Sequence, residues 1–590
     1  MKETCEDLLR SWCGGLLKLQ LQNRKEPSLQ GGILCPACGM IHGRCFDAIY
    51  PFLYLADADH DDTYKKGAEL LFQWAEHTVS RSDGSYVNDI NSPWKGTTVF
   101  SVIQLIEALT FHGHVLGKDT FEQWKARVKK AADFLAGFKE FEVCNVNYRI
   151  ACSLAMELCA DFLGEERYRI RAKELSALAL PQLTEDGLLA GEGRPTDGFS
   201  PRGCRPVDIG YNLEESLPSF LQYTVKTGNA SLKEQVIRVL KRHLLFMLDD
   251  GGMDNSFGTR NYKWTYWGSR TSDGCVLGCL LAASGEPELG TAAFRNLSLL
   301  KACTFDGLLY GGLHMRDMGE PPCVHHTFAH AKVLAGILDQ ELWPYFCRGE
   351  LPRSRMKAPE YMKELDTWVI PGREYTATVT AYDWEYGGLP KGHPGGGTLS
   401  LLWHKKAGLT LCSSMGTYSL KEPYNMTMPR FDCHECLTPR LEMTEEGKVY
   451  SSLYDHRCRM VQTGEPGPVT VIEVRGCMTS QEGRREEGRE YAIRYIFEPD
   501  RIRVLGEMPE KTRWILPVVS GREEEVMVHE QQVTVKKGET YVTLMGEQGK
   551  LSLPHGTRRI YNLVPGAEAL RLDLKEEKGR AAFSLSFRQS

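Results

Sequence analysis

Residues 145–163 read NVNYRIACSLAMELCADFL, and residues 165–183 read EERYRIRAKELSALALPQL. In both stretches apolar side chains recur at the three- and four-residue intervals of a helix that buries one face. The turn between the two stretches, Leu163–Glu166, is short. Two helices joined by so short a turn predict a helical hairpin.

The same texture extends from about residue 45 to 345, where helical stretches of about 15–20 residues alternate with loops. Every second connection is long and rich in Gly, Asp, Asn and aromatic residues, as in Ser82–Thr98, Glu185–Gly210 and Asp249–Ser272. Alternating short and long connections indicate hairpins arranged in a ring, with the long loops gathered on one rim. Function concentrates on loops held by a rigid scaffold, so we expect a cleft at that rim.

A second texture begins after the boundary, which we place near residues 350–366. Stretches such as EYTATVTAY (374–382), VTVIEVRG (469–476) and YAIRYIFE (491–498) alternate side chains with a period of two and are separated by Gly, Pro and charged turns. This pattern is typical of an antiparallel sandwich. The predicted fold is a multidomain α+β chain, with an N-terminal segment (1–45), an α/α toroid (46–350) and an antiparallel β-sandwich (366–590).

Composition excludes several classes of protein. Among the 590 residues, 42% are hydrophobic and 25% are charged, as in ordinary globular proteins. The net charge of −6 provides no basic field for nucleic acid, and no stretch approaches the length of a membrane span. We therefore expect neither nucleic acid nor a membrane as a partner. The N-terminus lacks the apolar core of a secretory signal, which favours the cytoplasm; the alternative is a secreted or periplasmic protein from which the signal has been trimmed.

The 19 cysteines are scattered over the chain, many of them within apolar helical stretches, and are typical of reduced, buried thiols. Four potential zinc ligands, Cys35, Cys38, His42 and Cys45, follow one another with C-x2-C-x3-H-x2-C spacing. Zinc accepts four such ligands in a tetrahedron, so a structural zinc is one interpretation. The alternatives are free thiols, with His42 and Arg44 facing the cleft to bind a carboxylate.

Two loops before predicted helices carry groups that suit a sugar. Trp94 lies beside Asp and Asn residues, where its ring would stack on a sugar or fill the toroid. Asn145 and Asn147 stand at a helix start, where Asn usually caps the helix. Because two Asn at i and i+2 cannot both cap, one amide is left for a ligand.

Two further loops combine cations with aromatic rings. In the first, Arg205 and Tyr211 precede an apolar helix, and the arginines favour a lowered pKa for Tyr211, which would suit proton transfer. The second, residues 256–274, includes Tyr262, Tyr266 and Arg270. Rings for the face of a pyranose and guanidinium groups for its carboxylate suit an anionic sugar. The alternative is that these aromatic side chains pack between hairpins.

Histidines open the last helix of the helical region. His325 and His326 stand at its start, and His330 follows four residues after His326. A pair at i and i+4 suits a metal on one helix face, whereas a histidine at the mouth of a helix suits proton transfer. In the β-region, His393, His404, Tyr418 and the Cys433-His434-x-Cys436 group either close the cleft or pack between domains.

This order of features resembles the heparinase II/III-like polysaccharide lyases, which join an α/α toroid to a β-sandwich. The resemblance spans about residues 40–590. It implies a catalytic Asn on an early helix, a Tyr on a later loop and a His further on, which here are Asn147, Tyr211 and His326. His42, Arg44, Trp94, Asn145, Arg205, Tyr262, Tyr266, Arg270 and His325 are the predicted substrate contacts.

The resemblance also implies β-elimination at a uronic acid in an oligosaccharide or polysaccharide, with no required cofactor. The C5 proton is removed, the C4 oxygen leaves, and a 4,5-unsaturated sugar remains. Asn147 would stabilise the charge that develops on the sugar carboxylate. Tyr211 would be base, acid or both, with His326 as its partner.

Two other functions fit a toroid with a polar cleft, because fold alone does not determine function. A glycoside hydrolase needs paired carboxylates, which Asp89, Asp197, Asp208 or Glu214 would supply. A carbohydrate-binding protein without catalysis needs only aromatic platforms, and the combination of Tyr, His, Asn and Arg side chains argues against it.

Overall fold

The computed structural model describes residues 1–89, 92–384, 394–416, 435–464, 467–482 and 485–589. Fourteen α-helices lie in the described residues, and all but the first and the last belong to the region 46–350. They are α1 (Lys2–Leu19), α2 (Ile49–Ala58), α3 (Asp62–Thr78), α4 (Thr98–His112), α5 (Lys118–Gly137), α6 (Val146–Leu163), α7 (Glu166–Ala179), α8 (Ile209–Tyr211), α9 (Leu217–Thr227), α10 (Ala230–His243), α11 (Val276–Ala282), α12 (Pro287–Ala302), α13 (Val324–Asp339) and α14 (Pro352–Arg355).

Six of these helices form a closed inner ring. Helix α2 contacts α4, and the contacts continue through α6, α9 and α11 to α13, which returns to α2. The outer helices α3, α5, α7, α10 and α12 each pair with the inner helix before them, and α1 packs on α13. The N-terminal segment is thus packed into the ring. Inner helices α4, α6 and α13 are buried on nearly every side, whereas outer helix α10 buries one apolar stripe.

The short connections lie within the hairpins. Helix α6 ends at Gly164 and α9 ends at Gly228, and both glycines take the left-handed conformation that stops a helix. The long connections run from each outer helix to the next inner helix, so all of them reach the same rim. The predicted toroid is confirmed. No helix in these described ranges has both the length and the apolar character needed to span a membrane.

The strands fall into two short hairpins and two larger antiparallel sheets. The hairpins are β1 (Trp264–Thr265) with β2 (Gly268–Ser269), and β3 (Thr304–Phe305) with β4 (Leu308–Leu309). The smaller of the two sheets runs in the order β5 (Glu360–Met362), β6 (Thr367–Pro371), β7 (Tyr375–Thr380), β8 (Thr398–His404) and β9 (Gly408–Cys412).

The large sheet has the order β17-β18-β19-β23-β15-β14-β13-β11-β10-β16-β22-β20, with β12 beside β13 and β21 beside β22. Its strands are β10 (Arg440–Glu445), β11 (Lys448–Ser451), β12 (Arg459–Thr463), β13 (Thr470–Thr479), β14 (Arg485–Glu498), β15 (Arg501–Glu507), β16 (Arg513–Val519), β17 (Glu525–His529), β18 (Gln532–Lys537), β19 (Thr540–Gln548), β20 (Lys550–Ser552), β21 (Arg559–Asn562), β22 (Ala567–Lys575) and β23 (Arg580–Gln589).

The two larger sheets share one hydrophobic core. Val379 and Leu402 of the smaller sheet lie in the same buried cluster as Ile472, Val504 and Leu572 of the large one. Core residues contributed by both sheets are the mark of face-to-face packing. The predicted antiparallel sandwich is confirmed.

The sandwich covers the rim of long loops. Arg202 in the loop before α8 pairs with Asp366 at the start of the sandwich. The Trp403 indole of β8 donates to Asp250 (3.0 Å), and the Tyr382 hydroxyl donates to the Arg205 carbonyl (2.7 Å). The β-domain therefore packs against the rim at which the long loops gather.

Arg353 holds this domain junction, and its loss has a large expected cost. Its buried guanidinium contacts Asp254 (2.9 Å), Thr376 (2.8 Å) and Thr378 (2.7 Å). We expect Arg353→Leu to lower the free energy of unfolding by about 3–5 kcal/mol in chemical denaturation, because Asp254 is left buried and unpaired.

The matched control is Arg355→Leu, two residues away. The Arg355 side chain is 49% exposed and lies 3.6 Å from Glu288. Such a surface pair contributes little, so we expect a change within about 0.5 kcal/mol. Equal losses in the two variants would show that the buried pair does not hold the junction.

Candidate active site

The candidate residues lie where the inner helices begin. Asn147 is in the first turn of α6, Tyr211 precedes α9, and His325 and His326 open α13. Because the inner helices start at the rim of long loops, these side chains come from distant parts of the sequence to one end of the ring. The loop 244–275 between α10 and α11 lies on the same rim.

Asn147 is held between two buried carboxyl groups. Its Nδ2 donates to Glu215 Oε1 (2.6 Å), and its backbone N–H donates to Glu192 Oε1 (3.0 Å). Its Oδ1 is buried and has no hydrogen-bond partner within the described part of the chain. Asn145 takes the N-cap position, where its side chain makes no capping bond. The amide of Asn147 is thus oriented by the protein and has an acceptor left for a ligand.

Tyr211 is positioned by backbone contacts and surrounded by cations. Asp208 accepts from the Tyr211 N–H (2.9 Å) and fixes the start of the helix. The hydroxyl bonds to Thr271 Oγ1 and accepts from Lys263 Nζ (3.4 Å), while the Arg260 guanidinium lies 4.3 Å from the ring centroid. A hydroxyl in such surroundings is well placed to donate or accept a proton.

The protonation of Tyr211 differs from the sequence-based expectation. Burial raises its pKa above the usual value, and the opposing effects of Lys263 and Arg260 do not reverse this. The expected lowering is wrong because burial of the Tyr211 hydroxyl has a larger effect on its pKa than the neighbouring cations. Tyr211 therefore carries its proton at neutral pH.

A π-helical turn, Asn212–Ser216, follows Tyr211 and directs two glutamates inward. Glu215 meets Asn147, whereas Glu214 Oε2 accepts from the Ser269 N–H and the Ser272 hydroxyl, both at 2.6 Å. A Cβ at Gly268 would lie 2.1 Å from Glu214 Oε1, so the loop comes this close only because residue 268 is glycine.

His326 is a buried, neutral imidazole. Its Nδ1 faces the Leu309 carbonyl (3.3 Å), which assigns the ring proton to Nδ1, and its Nε2 has no partner among the described residues. The Trp267 ring packs against it edge-on with centroids 5.5 Å apart. Burial, followed by the charge of Arg270, lowers the pKa of His326 to about 3. The Nε2 lone pair is therefore available to accept a proton.

The neighbouring histidines have different surroundings. Both ring nitrogens of His325 are buried without a partner in the described ranges, and burial and then Arg44 lower its pKa. His330 Nδ1 lies 2.8 Å from the His326 carbonyl, and its Nε2 lies 3.7 Å from Glu214. The His330 ring therefore lies between the Glu214 carboxylate and the Trp267 ring, which it contacts edge-on with centroids 4.8 Å apart.

A buried charge cluster supports the other side of the site. Arg44 Nη2 contacts Asp273 (2.7 Å), and Lys332 Nζ contacts both Asp273 (2.8 Å) and Asp47 (2.7 Å). Arg44 also pairs with Asp47. Burial raises the pKa of nearby Glu215 to about 7, an effect that Arg44 opposes. The site thus combines two buried cations with Glu215, a carboxyl group whose pKa lies near neutrality.

The remaining predicted contacts divide into two groups. Trp94 packs edge-on to Tyr148 (5.2 Å), the residue after Asn147, and Tyr262 and Arg270 are buried in the loop that bears Lys263. Among the contacts of the described residues, Arg205 and Tyr266 have partners other than Tyr211. The Arg205 guanidinium carbon lies 4.8 Å from the centroid of the Phe199 ring, and the Tyr266 hydroxyl donates to Asp250 (2.7 Å).

The zinc-like spacing near the N-terminus is arranged differently from the expectation. His42 Nε2 faces Cys38 and the distant Cys323, whereas its neighbour Arg44 pairs with Asp47 and Asp273. Cys45 is not in the group of ligand atoms that the described residues bring together. In the β-region, His404 stacks on Phe587 (4.3 Å). His393, Tyr418, Cys433 and His434 lie outside the described residues.

Comparison with known proteins identifies the family. The model of the ulvan lyase N-terminal domain matches residues 9–352, and that of the ulvan lyase C-terminal domain matches residues 360–589. The chain belongs to the ulvan lyase family. A broad-specificity ulvan lyase from Formosa agariphila is 36% identical over 589 residues, covering 97% of this chain and 92% of the relative.

Solved structures share the fold of this ulvan lyase family member at low identity. A mutant heparan sulfate lyase from Pedobacter heparinus gives a TM-score of 0.52 at 10% identity, covering 99% of this chain and 83% of its own. A chondroitin AC lyase from Streptomyces coelicolor gives a TM-score of 0.54 at 11% identity, and the match covers 100% of this chain and 80% of the lyase chain. The resemblance to toroid-plus-sandwich polysaccharide lyases, stated from the sequence, is confirmed.

Two parts of the site escaped the sequence reasoning. Glu192 lies in a loop without any distinctive motif, and only the fold brings it to Asn147. Lys332 carries a detectable signal, because it is a lone cation within the apolar run of α13. A lysine in a helix buried on nearly every side must meet a carboxylate, here Asp47 and Asp273.

Proposed function

We propose that this protein is a lyase that cleaves ulvan by β-elimination at a uronic acid residue. The observation that carries the proposal is that one loop contacts both proton-transfer candidates. Thr271 bonds to the Tyr211 hydroxyl, and Trp267 flanks the His326 ring. Family membership and the activity of the 36% identical relative support the choice of ulvan.

Neutralisation of the sugar carboxylate is the first requirement, because the C5 proton is only weakly acidic beside an ionised carboxylate. Asn147 is the group proposed for this role: Glu215 accepts one N–H of its Nδ2, and the second N–H is the donor that would bond to the sugar carboxylate. Arg44 supports this arrangement because its charge favours the ionised, accepting form of Glu215. Such preorganised polar groups stabilise charge strongly because they are buried and need no rearrangement during the reaction.

Proton transfer then follows from the two protonation states. Neutral His326 accepts the C5 proton at Nε2, the C–H electrons form the C4–C5 double bond, and the C4–O4 bond breaks. Tyr211, which is protonated, gives its proton to the departing O4. Binding of an anionic sugar raises the pKa of His326 towards the working range, since a nearby negative charge favours imidazolium.

Two of the four carboxylates named for the hydrolase alternative, Asp208 and Glu214, already have structural partners. Asp208 accepts from the Tyr211 and Arg260 N–H groups and from Asn255, and Glu214 accepts from Ser269 and Ser272. Both are engaged in holding the loops. A pair of carboxyl groups across an open cleft is what inverting or retaining hydrolysis requires.

The proposal is tested by incubating the enzyme with ulvan, chondroitin sulphate and heparan sulfate and following the ultraviolet absorbance of the conjugated double bond. We expect absorbance to rise with ulvan. Turnover of ulvan without ultraviolet absorbance would overturn elimination, and absorbance only with the other polymers would overturn the proposed substrate.

Asn147→Ala is expected to lower kcat on ulvan by about 10²–10³-fold, the effect of removing one preorganised donor from a site of developing charge. The control is Asn229→Ala, since Asn229 caps α10 at the opposite rim by accepting from the Leu232 N–H (3.1 Å). The control variant should lose about 1 kcal/mol of stability and keep its kcat. An unchanged kcat in Asn147→Ala would remove Asn147 from the mechanism.

A further inference from the structure

Four potential metal ligands meet where the N-terminal segment contacts α13. The ligand atoms of Cys35, Cys38 and His42 all lie within 4.8 Å of one another. Cys323, the residue that caps α13, brings a fourth: its Sγ is 3.7 Å from Cys35 Sγ and 3.8 Å from His42 Nε2. Cys38 Sγ is 3.3 Å from the same nitrogen. Cys323, nearly three hundred positions away in the sequence, thus lies against two members of this group, Cys35 and His42.

We propose that Cys35, Cys38, His42 and Cys323 bind one structural zinc ion. Zinc with Zn–S bonds of about 2.3 Å and a Zn–N bond of about 2.0–2.1 Å places tetrahedral sulfurs about 3.8 Å apart and sulfur and nitrogen about 3.5 Å apart. Three of the six separations lie close to these values: Cys35–Cys323 at 3.7 Å, Cys323–His42 at 3.8 Å and Cys38–His42 at 3.3 Å. Three thiolates and one imidazole fill all four positions, as in structural rather than catalytic zinc sites.

The local backbone presents the first two thiols together. The Gly39 N–H donates to the Cys35 carbonyl (2.9 Å), the Cys35 N–H donates to the Met40 carbonyl (2.8 Å), and Gly39 has a φ of +69°. This tight turn needs glycine and places Cys35 and Cys38 on one side of the loop. Cys35 and Cys323 are fully or nearly fully buried, which suits a closed metal site.

The proposed ion fixes the start of α13, the helix that carries the base. His325 follows Cys323 by two residues, and its ring lies 6.4 Å from that of His42. Since the ligands come from both ends of the ring, the metal also ties the N-terminal segment to the last inner helix. This role is independent of the proposed substrate, and its test does not rely on turnover.

The test is the metal content of the full-length protein purified without chelators, measured by atomic emission. We expect one zinc ion per chain in the wild type and its loss in Cys35→Ser and Cys323→Ser. Cys45→Ala is the matched control, because Cys45 is a buried thiol three residues after His42 and, in the described part of the chain, its Sγ makes none of the short contacts that join the four proposed ligands. It should retain the zinc.

Cobalt substitution of the wild type provides a second readout that does not depend on a variant that folds. We expect the visible d–d bands of tetrahedral Co²⁺ and the charge-transfer absorption of three thiolates, both lost when zinc is added. A reduced wild type that takes up no zinc or cobalt would overturn the proposal. So would a Cys35–Cys323 disulfide found by mass spectrometry, or retention of zinc by Cys323→Ser together with its loss from Cys45→Ala.

Discussion

We expect Tyr211→Phe to lower kcat on ulvan by about 10³-fold or more, with little change in KM, because the variant lacks the proposed proton donor. The variant removes one hydroxyl, whose contacts are Thr271 and Lys263, and leaves the ring beneath the Arg260 guanidinium. The leaving O4 then departs without a proton donor. Initial rates followed by ultraviolet absorbance at saturating ulvan measure the effect, and circular dichroism checks the fold.

A second buried tyrosine of the same loop is the control. Tyr266→Phe removes a hydroxyl that donates to Asp250, away from Tyr211. This variant should be less stable by about 1 kcal/mol, the usual worth of one hydrogen bond, and should keep its kcat. Equal losses of kcat in the two variants would assign the Tyr211 effect to packing.

The pH profile of the wild type distinguishes the two roles of Tyr211. Because burial raises its pKa, an acid at this position stays active through the neutral and mildly alkaline range. A base at this position would instead give a kcat/KM that increases with pH as the hydroxyl ionises. We expect no such increase from Tyr211 below about pH 10, the ordinary pKa of tyrosine.

His326→Gln is expected to lower kcat by about 10²–10⁴-fold, the contribution of a general base. Glutamine fills much of the same space and presents an amide, but it does not take up the C5 proton. In the wild type, the lowered pKa of His326 moves the acid limb of kcat/KM well below pH 6.5, the usual histidine value. Initial rates at a series of pH values measure both effects.

His314→Gln is the matched control for this histidine. Burial also lowers the pKa of His314, to about 4, and its Nδ1 accepts from the Glu568 N–H (2.8 Å) at the contact with the sandwich. The His314→Gln variant should be less stable than the wild type and should retain its kcat. A wild-type acid limb centred near pH 6.5 that disappears in His326→Gln would contradict the buried, neutral state of this imidazole.

Sequence periodicity predicted the architecture because each hairpin carries its own signal. The run 145–183 contains both helices and the short turn between them, and every second connection is long, so a ring with one loop-rich rim follows from local patterns. The period of two after residue 366 predicted the sandwich in the same way. Closure of the ring by α13 on α2, and the packing of α1 on α13, have no local signal, since both depend on contacts between the two ends of the helical region.

The site was predicted less completely, because its chemistry depends on burial and on distant contacts. The sequence pointed to Asn147, Tyr211 and His326. It also showed the cations near Tyr211, but it did not show the burial that raises the pKa of Tyr211 despite them. Spacing suggested Cys45 as a fourth ligand, whereas the fold brings Cys323 to His42. Tyr266 has the residue type of a sugar platform, yet the sandwich supplies Trp403 to share Asp250 with it.

Product masses test the central claim of elimination most directly. A defined ulvan oligosaccharide is cleaved to completion, and the masses of its two fragments are measured together with their ultraviolet absorbance. Elimination predicts fragments whose masses add up to that of the substrate, with one unsaturated, absorbing end, and no such product from Tyr211→Phe on the same time scale. Fragments that together are heavier by one water, without absorbance, would contradict the account and return attention to hydrolysis.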